Sequence, residues 1–167
     1  DRACAASTVA AFEAMTAAMD RMAAQLGELD AVAGDGDHGR GMVRGTQAAL
    51  QAARTAHEGN AHPGEIVARA GRAWADKAGG TSGFLWGAAL EALGNRLGDA
   101  SPVSGERLSA GVADAYEAIA KLGRAVPGDK TMLDALGPFS EALNSGIIND
   151  QPLAEAWRGA AAKAELA

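Results

Sequence analysis

The sequence predicts an all-α fold, a bundle of closely packed helices, on three observations. Hydrophobic residues make up 48% of the 167 residues, yet alanine supplies much of that share, with only three Trp, three Phe and one Tyr. Small side chains let helices approach closely. β-branched residues are sparse and never form an alternating run, which argues against a sheet. Apolar residues recur instead at steps of three and four, the stripe of an amphipathic helix. The length suits a single domain, residues 1–167, with a proper core.

In the first helix the stripe is Val9, Phe12, Met15, Met19, Met22 and Leu26, with Gly27 as the expected stop. An acidic, glycine-rich loop follows, then a second helix over about 39–53. Residues 56–64 form a polar turn region, and Pro63 suits the first position of a third helix that runs to about Ala78. Gly79, Gly80, Thr81, Ser82 and Gly83 read as a flexible loop before a fourth helix over 84–97, marked by Trp86, Leu90, Leu93 and Leu97. After a connector at 98–102, Ser104 with Glu106 suits the start of a fifth helix, striped by Leu108, Val112, Ala115, Ile119 and Leu122. A Gly- and Pro-rich loop over 123–129 precedes a sixth helix over 131–144, and a seventh starts near Leu153. Short loops favour antiparallel neighbours. The loops after the first, third and fifth helices therefore fall at one end.

The net charge of −6 argues against a general nucleic-acid surface. The longest uncharged stretch, 78–90, is too short to span a membrane and contains four glycines. The single cysteine, Cys4, excludes an internal disulfide framework and fits a reducing, cytoplasmic compartment. The first thirty residues lack the basic-then-apolar order of a leader. The chain does not begin with Met and stops inside a helical pattern, so it reads as a piece of a longer polypeptide.

The acidic loop carries the chemistry. Asp30, Asp35 and Asp37 place three carboxylates within eight residues, with Gly34 and Gly36 allowing the chain to fold back. Hard oxygen ligands suit Mg²⁺, which takes its remaining ligands from water and substrate phosphates. An exposed Asp/Gly turn is the competing reading. A calcium EF-hand fails on register: twelve residues from Asp35 reaches Thr46 and from Asp37 reaches Ala48, so the bidentate Glu is absent. His38 has no zinc-like spacing to His57 or His62 and is either a bonding partner of phosphate or carboxylate, or a surface histidine.

The residues from Gly79 to the start of the fourth helix offer backbone N–H groups and hydroxyls to an anion, with Ser82 as a plain N-cap the alternative. The run Gly123-Arg124-Ala125-Val126-Pro127-Gly128-Asp129-Lys130-Thr131 is nearly a Walker A loop, but it has one residue too many before Lys130 and follows a helix rather than a strand. What remains is a turn into a helix, with Asp129 as the expected N-cap. Arg44, Arg124 and Arg158 receive no role. No residue orders itself as a covalent nucleophile, and phosphoryl transfer needs none.

These three motifs, in this order and spacing, resemble the nucleotide-binding domain of dihydroxyacetone kinases, either the L-type subunit or the C-terminal domain of fused enzymes. The carrying residues are Leu29, Asp30, Asp35, Gly36, Asp37, His38 and Gly39, then Gly79 with Gly80, Thr81, Ser82 and Gly83, then Pro127, Gly128, Asp129, Lys130, Thr131, Met132 and Asp134. The related fatty-acid kinase domain usually has Thr in place of His38. The resemblance implies a barrel of eight antiparallel helices with the nucleotide, ATP or ADP, at one end. It implies that Asp30, Asp35 and Asp37 hold two Mg²⁺ ions. It implies that His38, Gly39, Arg40, Gly41, Thr81 and Ser82 contact the phosphates or line their loops, and that Gly123, Thr131 and Met132 line the adenine and ribose pocket. The keto substrate would sit on a separate domain or subunit, the expected partner; a homodimer is admissible. The family's Gly-Arg-Ala-Ser-type and Asp-Pro-Gly segments do not occur here, and the chain stops about where the eighth helix would begin, so it reads as truncated relative to the family.

The leading expectation is a glycerone-kinase-like enzyme that uses ATP on dihydroxyacetone or a similar keto sugar such as erythrulose. The alternatives are an ADP-binding subunit rephosphorylated by a phosphotransferase protein, and a non-catalytic helical interaction module.

Overall fold

A computed structural model describes residues 2–100 and 102–167. Residue 101, part of the expected 98–102 connector, lies outside the described residues. Among those residues there are seven helices and no strand: α1 (Arg2–Asp30), α2 (His38–Glu58), α3 (Pro63–Ala78), α4 (Gly80–Leu97), α5 (Gly105–Gly123), α6 (Met132–Ile148) and α7 (Leu153–Glu165). None is long and apolar enough to cross a membrane. Each helix packs chiefly on its neighbours in sequence, so the fold is a serial up-and-down array, with lesser contacts from α1 to α3 and from α2 to α4.

The most extensive helix contact is between α3 and α4, and glycine permits it. A Cβ on Gly64 would lie 2.4 Å from the Gly98 carbonyl oxygen, one on Gly71 2.7 Å from that of Gly87, and one on Gly83 2.6 Å from the Ala78 Cβ. The pairing runs in opposite directions along the two helices, which makes them antiparallel. The alanine and glycine composition thus becomes backbone-to-backbone packing.

The core has three parts. Val9 and Phe12 of α1, Met42 and Ala49 of α2, and Ile66 and Trp74 of α3 form the main one. Leu85, Ala89, Ile119 and Leu133 join α4, α5 and α6 near the loop end, and Val112, Leu143, Ala156 and Ala160 join α5, α6 and α7. Most of the first stripe turns inward, with Met15, Met19 and Leu26 packed against the core; Met22 and Leu122 depart from the expectation and are exposed.

Several boundaries differ from the sequence expectation. Gly27 does not stop α1, which continues to Asp30. Its glycine serves packing instead, since a Cβ there would lie 3.1 Å from the Gly36 carbonyl oxygen of the returning loop. The expected 79–83 loop is a sharp turn at Gly79 followed at once by the first turn of α4. Helix α2 runs on to Glu58 and α6 to Ile148. Pro63 does open α3, and the Ser104 Oγ accepts from the Arg107 N–H at 3.2 Å, capping α5 as expected.

Candidate functional site

The acidic loop is built by a tight reversal at the end of α1. The N–H groups of Ala33 and Gly34 both donate to the Asp30 carbonyl, at 3.1 and 2.6 Å. A Cβ on Gly34 would lie 2.6 Å from Asp30 Oδ1, so glycine lets the chain pass without displacing this carboxylate. Gly36 takes φ +76°, a left-handed conformation that suits glycine. The Asp35 Oδ1 then accepts from the Asp37 N–H at 3.2 Å, and the Asp30 Oδ2 accepts from the His38 N–H at 3.3 Å.

The result is convergence: carboxylate oxygens of Asp30, Asp35 and Asp37 lie within 4.8 Å of one another. Asp30 is half-buried and the other two are exposed. Asp30 also ends α1, where the helix dipole is negative, so the cluster concentrates like charge. Among the described residues no cationic side chain is paired with it. An all-oxygen donor set of this charge fits a hard divalent cation.

Helix α2 begins directly against the cluster, with Asp37 at its N-cap position but no side-chain cap bond. Its placement depends on Gly39, where a Cβ would lie 1.9 Å from the Ala23 carbonyl oxygen. Gly39 and Gly41 are buried by neighbouring backbone, His38 is half-buried, and Arg40 is exposed. One turn on, Arg44 donates from Nε to the Lys77 carbonyl at 3.3 Å and from Nη2 to the Ala78 carbonyl at 3.1 Å. These bonds hold the end of α3, and with it the Gly79 turn, beside the start of α2.

Gly79 and Gly80 take φ +76° and +66°, and α4 starts with no side-chain cap. Ser82 is therefore not the N-cap. Thr81 is exposed and Ser82 half-buried in the first helical turn. Two helix N-termini, those of α2 and α4, thus flank the site, and such termini attract anions.

The third loop reaches the same end through Leu85 of α4, which lies 3.6 Å from a Cβ built on Gly123 and shares a core cluster with Met132. Gly123 ends α5 and is exposed. The helix cap is Thr131 rather than Asp129. The Thr131 Oγ accepts from the Leu133 N–H at 3.2 Å, and Asp134 accepts from the N–H groups of Gly128 at 2.6 Å and Thr131 at 2.9 Å. Those backbone donors hold the Asp134 carboxyl below the usual carboxylate range. Asp129 instead closes its own turn, accepting from the Val126 N–H at 2.9 Å.

The structure thus gathers Asp30, Asp35, Asp37, His38, Gly39, Arg40 and Gly41 with Thr81 and Ser82 through the Arg44 bridge, and brings Gly123, Thr131 and Met132 to the same end. Sequence reasoning gives Arg44 no role and places Asp134 only as the last residue of its motif. The spacing Thr131-x-x-Asp134 is a capping-box signal that points to the role of Asp134; no sequence signal points to that of Arg44. Grooves of about 560 and 450 Å³ lie elsewhere, on the outer faces between α4 and α5 and between α5 and α6.

Known proteins match this arrangement. A D-erythrulose kinase of Mycolicibacterium smegmatis is 54% identical over 151 residues, which are 90% of this chain and 26% of that one. The ADP-binding subunit DhaL of a PTS-dependent dihydroxyacetone kinase from Lactococcus lactis is 34% identical over 138 residues, 83% of this chain and 68% of that one. The chain therefore spans about a quarter of the erythrulose kinase. The crystal structure of the dihydroxyacetone kinase of C. freundii in its native form superposes over 95% of this chain and 28% of its own, with a TM-score of 0.69 at 26% identity. The same enzyme in complex with AMP-PNP and Mg²⁺ gives a TM-score of 0.65 at 28% identity, over 97% of this chain and 29% of its own. The family model described as the DAK2 domain matches residues 32–167, and the chain belongs to that family.

Proposed function

We propose that this chain is the nucleotide-binding domain of a kinase for small keto sugars, holding a Mg²⁺-nucleotide at its three-loop end and donating the phosphoryl group to a substrate on a separate domain or subunit. The observation that carries the reading is the convergence of the Asp30, Asp35 and Asp37 carboxylates within 4.8 Å, beside two helix N-termini whose N-cap residues make no side-chain cap bond. Asp30, Asp35 and Asp37 hold the metal, one or two ions, which when bound neutralises phosphate charge. The first-turn N–H groups of Gly39 and Arg40 in α2 and those of α4, with the Thr81 and Ser82 hydroxyls, orient the phosphates, while His38 and Gly41, whose N–H groups bond the Asp30 carboxylate and the Asp37 carbonyl, line the loop. Gly123, Thr131 and Met132 border the base and ribose. The Thr131 hydroxyl accepts from Leu133, which leaves its proton available to donate. Residues 1–167 act as one domain.

Identity is higher to the erythrulose kinase than to the ADP-binding subunit, 54% against 34%, which supports ATP as the donor over a phosphoprotein. Phosphate transfer from a phosphohistidine carrier, with no use of free ATP, would reverse that preference. Calorimetry with Mg²⁺ and ADP or ATP tests the site itself. Binding is expected in the parent chain and lost when Asp30, Asp35 and Asp37 are replaced together by Asn; retained binding in that variant refutes the metal assignment.

A further inference from the structure

Four arginines of the chain, Arg54, Arg69, Arg72 and Arg96, pair with carboxylates on the bundle surface. Arg44 makes no ion pair among the described residues and spends two donors on main-chain carbonyls of another helix. Those carbonyls, of Lys77 and Ala78, belong to the last turn of α3, where helical hydrogen bonding leaves acceptors orphaned and the dipole favours a cation. The next two residues are a weak point in the chain. Gly79 and Gly80 both adopt positive φ, and around Gly80 nothing lies within 4 Å of a would-be Cβ. The nearest atom to a Cβ on Gly79 is the Arg44 Nη2, at 3.7 Å, and the same nitrogen lies 3.9 Å from a Cβ on Gly41. The guanidinium therefore sits between the start of α2 and the turn that starts α4.

We propose that Arg44 is a positioning residue that ties the Gly79 turn to α2 and so keeps the first-turn N–H groups of α4 in register with the acidic loop. Its planar fork reaches two carbonyls at once, which a lysine ammonium does not reproduce. The acidic loop is built by α1 and by the backbone before Arg44, so metal binding alone does not depend on it. Phosphate binding, which needs both helix N-termini, does. This last consequence rests on the nucleotide-site reading.

The test uses the full chain with Arg44→Met, which keeps the stem, and Arg44→Lys, which keeps the charge. Amide hydrogen exchange at 79–83 is expected to accelerate in Arg44→Met, and less so in Arg44→Lys. Mn²⁺ affinity without nucleotide, measured by electron paramagnetic resonance, stays within about twofold. Affinity for Mg²⁺–ADP by calorimetry falls on the order of tenfold, the equivalent of about 1.4 kcal/mol. Unchanged exchange at 79–83 overturns the proposal, whatever the nucleotide does. Parallel loss of Mn²⁺ and nucleotide binding also overturns it, since Arg44 would then support the fold generally. If Arg44→Met does not fold, Arg44→Lys with parental exchange and parental nucleotide affinity overturns it alone. Faster exchange with no nucleotide binding in the parent chain upholds the positioning role and refutes the proposed function instead.

Discussion

Replacing Gly39 by Ala gives the sharpest test of how this site is built. The added Cβ would lie 1.9 Å from the Ala23 carbonyl oxygen, and ordinary contact begins near 3.4 Å. The obstacle is helix backbone on α1 rather than the end of a flexible side chain, so the start of α2 must move out by about 1.5 Å, the gap between those distances. Overpacking of this kind costs about 1–3 kcal/mol, and the helix-propensity gain of Ala over Gly, about 1 kcal/mol at most, offsets only part of it. A net loss of about 1–2 kcal/mol lowers the melting temperature by roughly 2–8 °C in a domain of this size. The proposed metal site suffers more. Asp30 stands on α1 and Asp37 at the start of α2, and metal–ligand distances tolerate only about 0.2 Å. Mn²⁺ affinity is therefore expected to fall about tenfold or more while the protein remains folded at room temperature. Thermal melting by circular dichroism and Mn²⁺ titration of the same sample measure both. A variant that melts at or above the parent temperature and binds Mn²⁺ unchanged refutes the tight α1–α2 contact.

Gly159→Ala is the opposite case: nothing lies within 4 Å of its Cβ inside α7, so it gains about 0.5–1 kcal/mol and melts a few degrees higher by the same assay. Thr131→Ala removes the cap of α6 and costs about 1 kcal/mol, read by urea unfolding, with the m-value unchanged. Asp134, held below its ordinary value of 3.8 by backbone donors, stabilises the fold only while ionised. Its contribution is present above that ordinary value and is lost as pH falls through the lower folded value. The melting difference between the parent and Asp134→Asn is thus expected at neutral pH and shrinks below about pH 4; a difference that holds constant into strong acid refutes the capping role.

Much of the fold was legible because helical periodicity is local. Val9, Phe12, Val112 and Ile119 point inward as their spacing predicts, and Pro63 and Ser104 begin their helices by chemistry contained in one or two residues. Glycine departs from its local preference where its role is tertiary. Gly27 has the composition of a helix stop, yet α1 continues through it, and the returning loop packs against it. The glycines at 79–83 suggest a flexible loop, yet all but the turn at Gly79 are helical. A lone Gly is locally a breaker, and only a neighbour at van der Waals distance makes it a packing residue.

The sequence by itself determined the class of the chain, the three motif loops and the acid-rich chemistry of one of them, because residue type and short-range spacing carry that information. Only the tertiary structure decided that Asp30, Asp35 and Asp37 converge within 4.8 Å and that Arg44 joins α2 to the end of α3. The physical reason is range. A capping box spans three residues, whereas the Arg44 contact links residues 33 and 34 apart through the packing of two helices, and no local pattern encodes that distance.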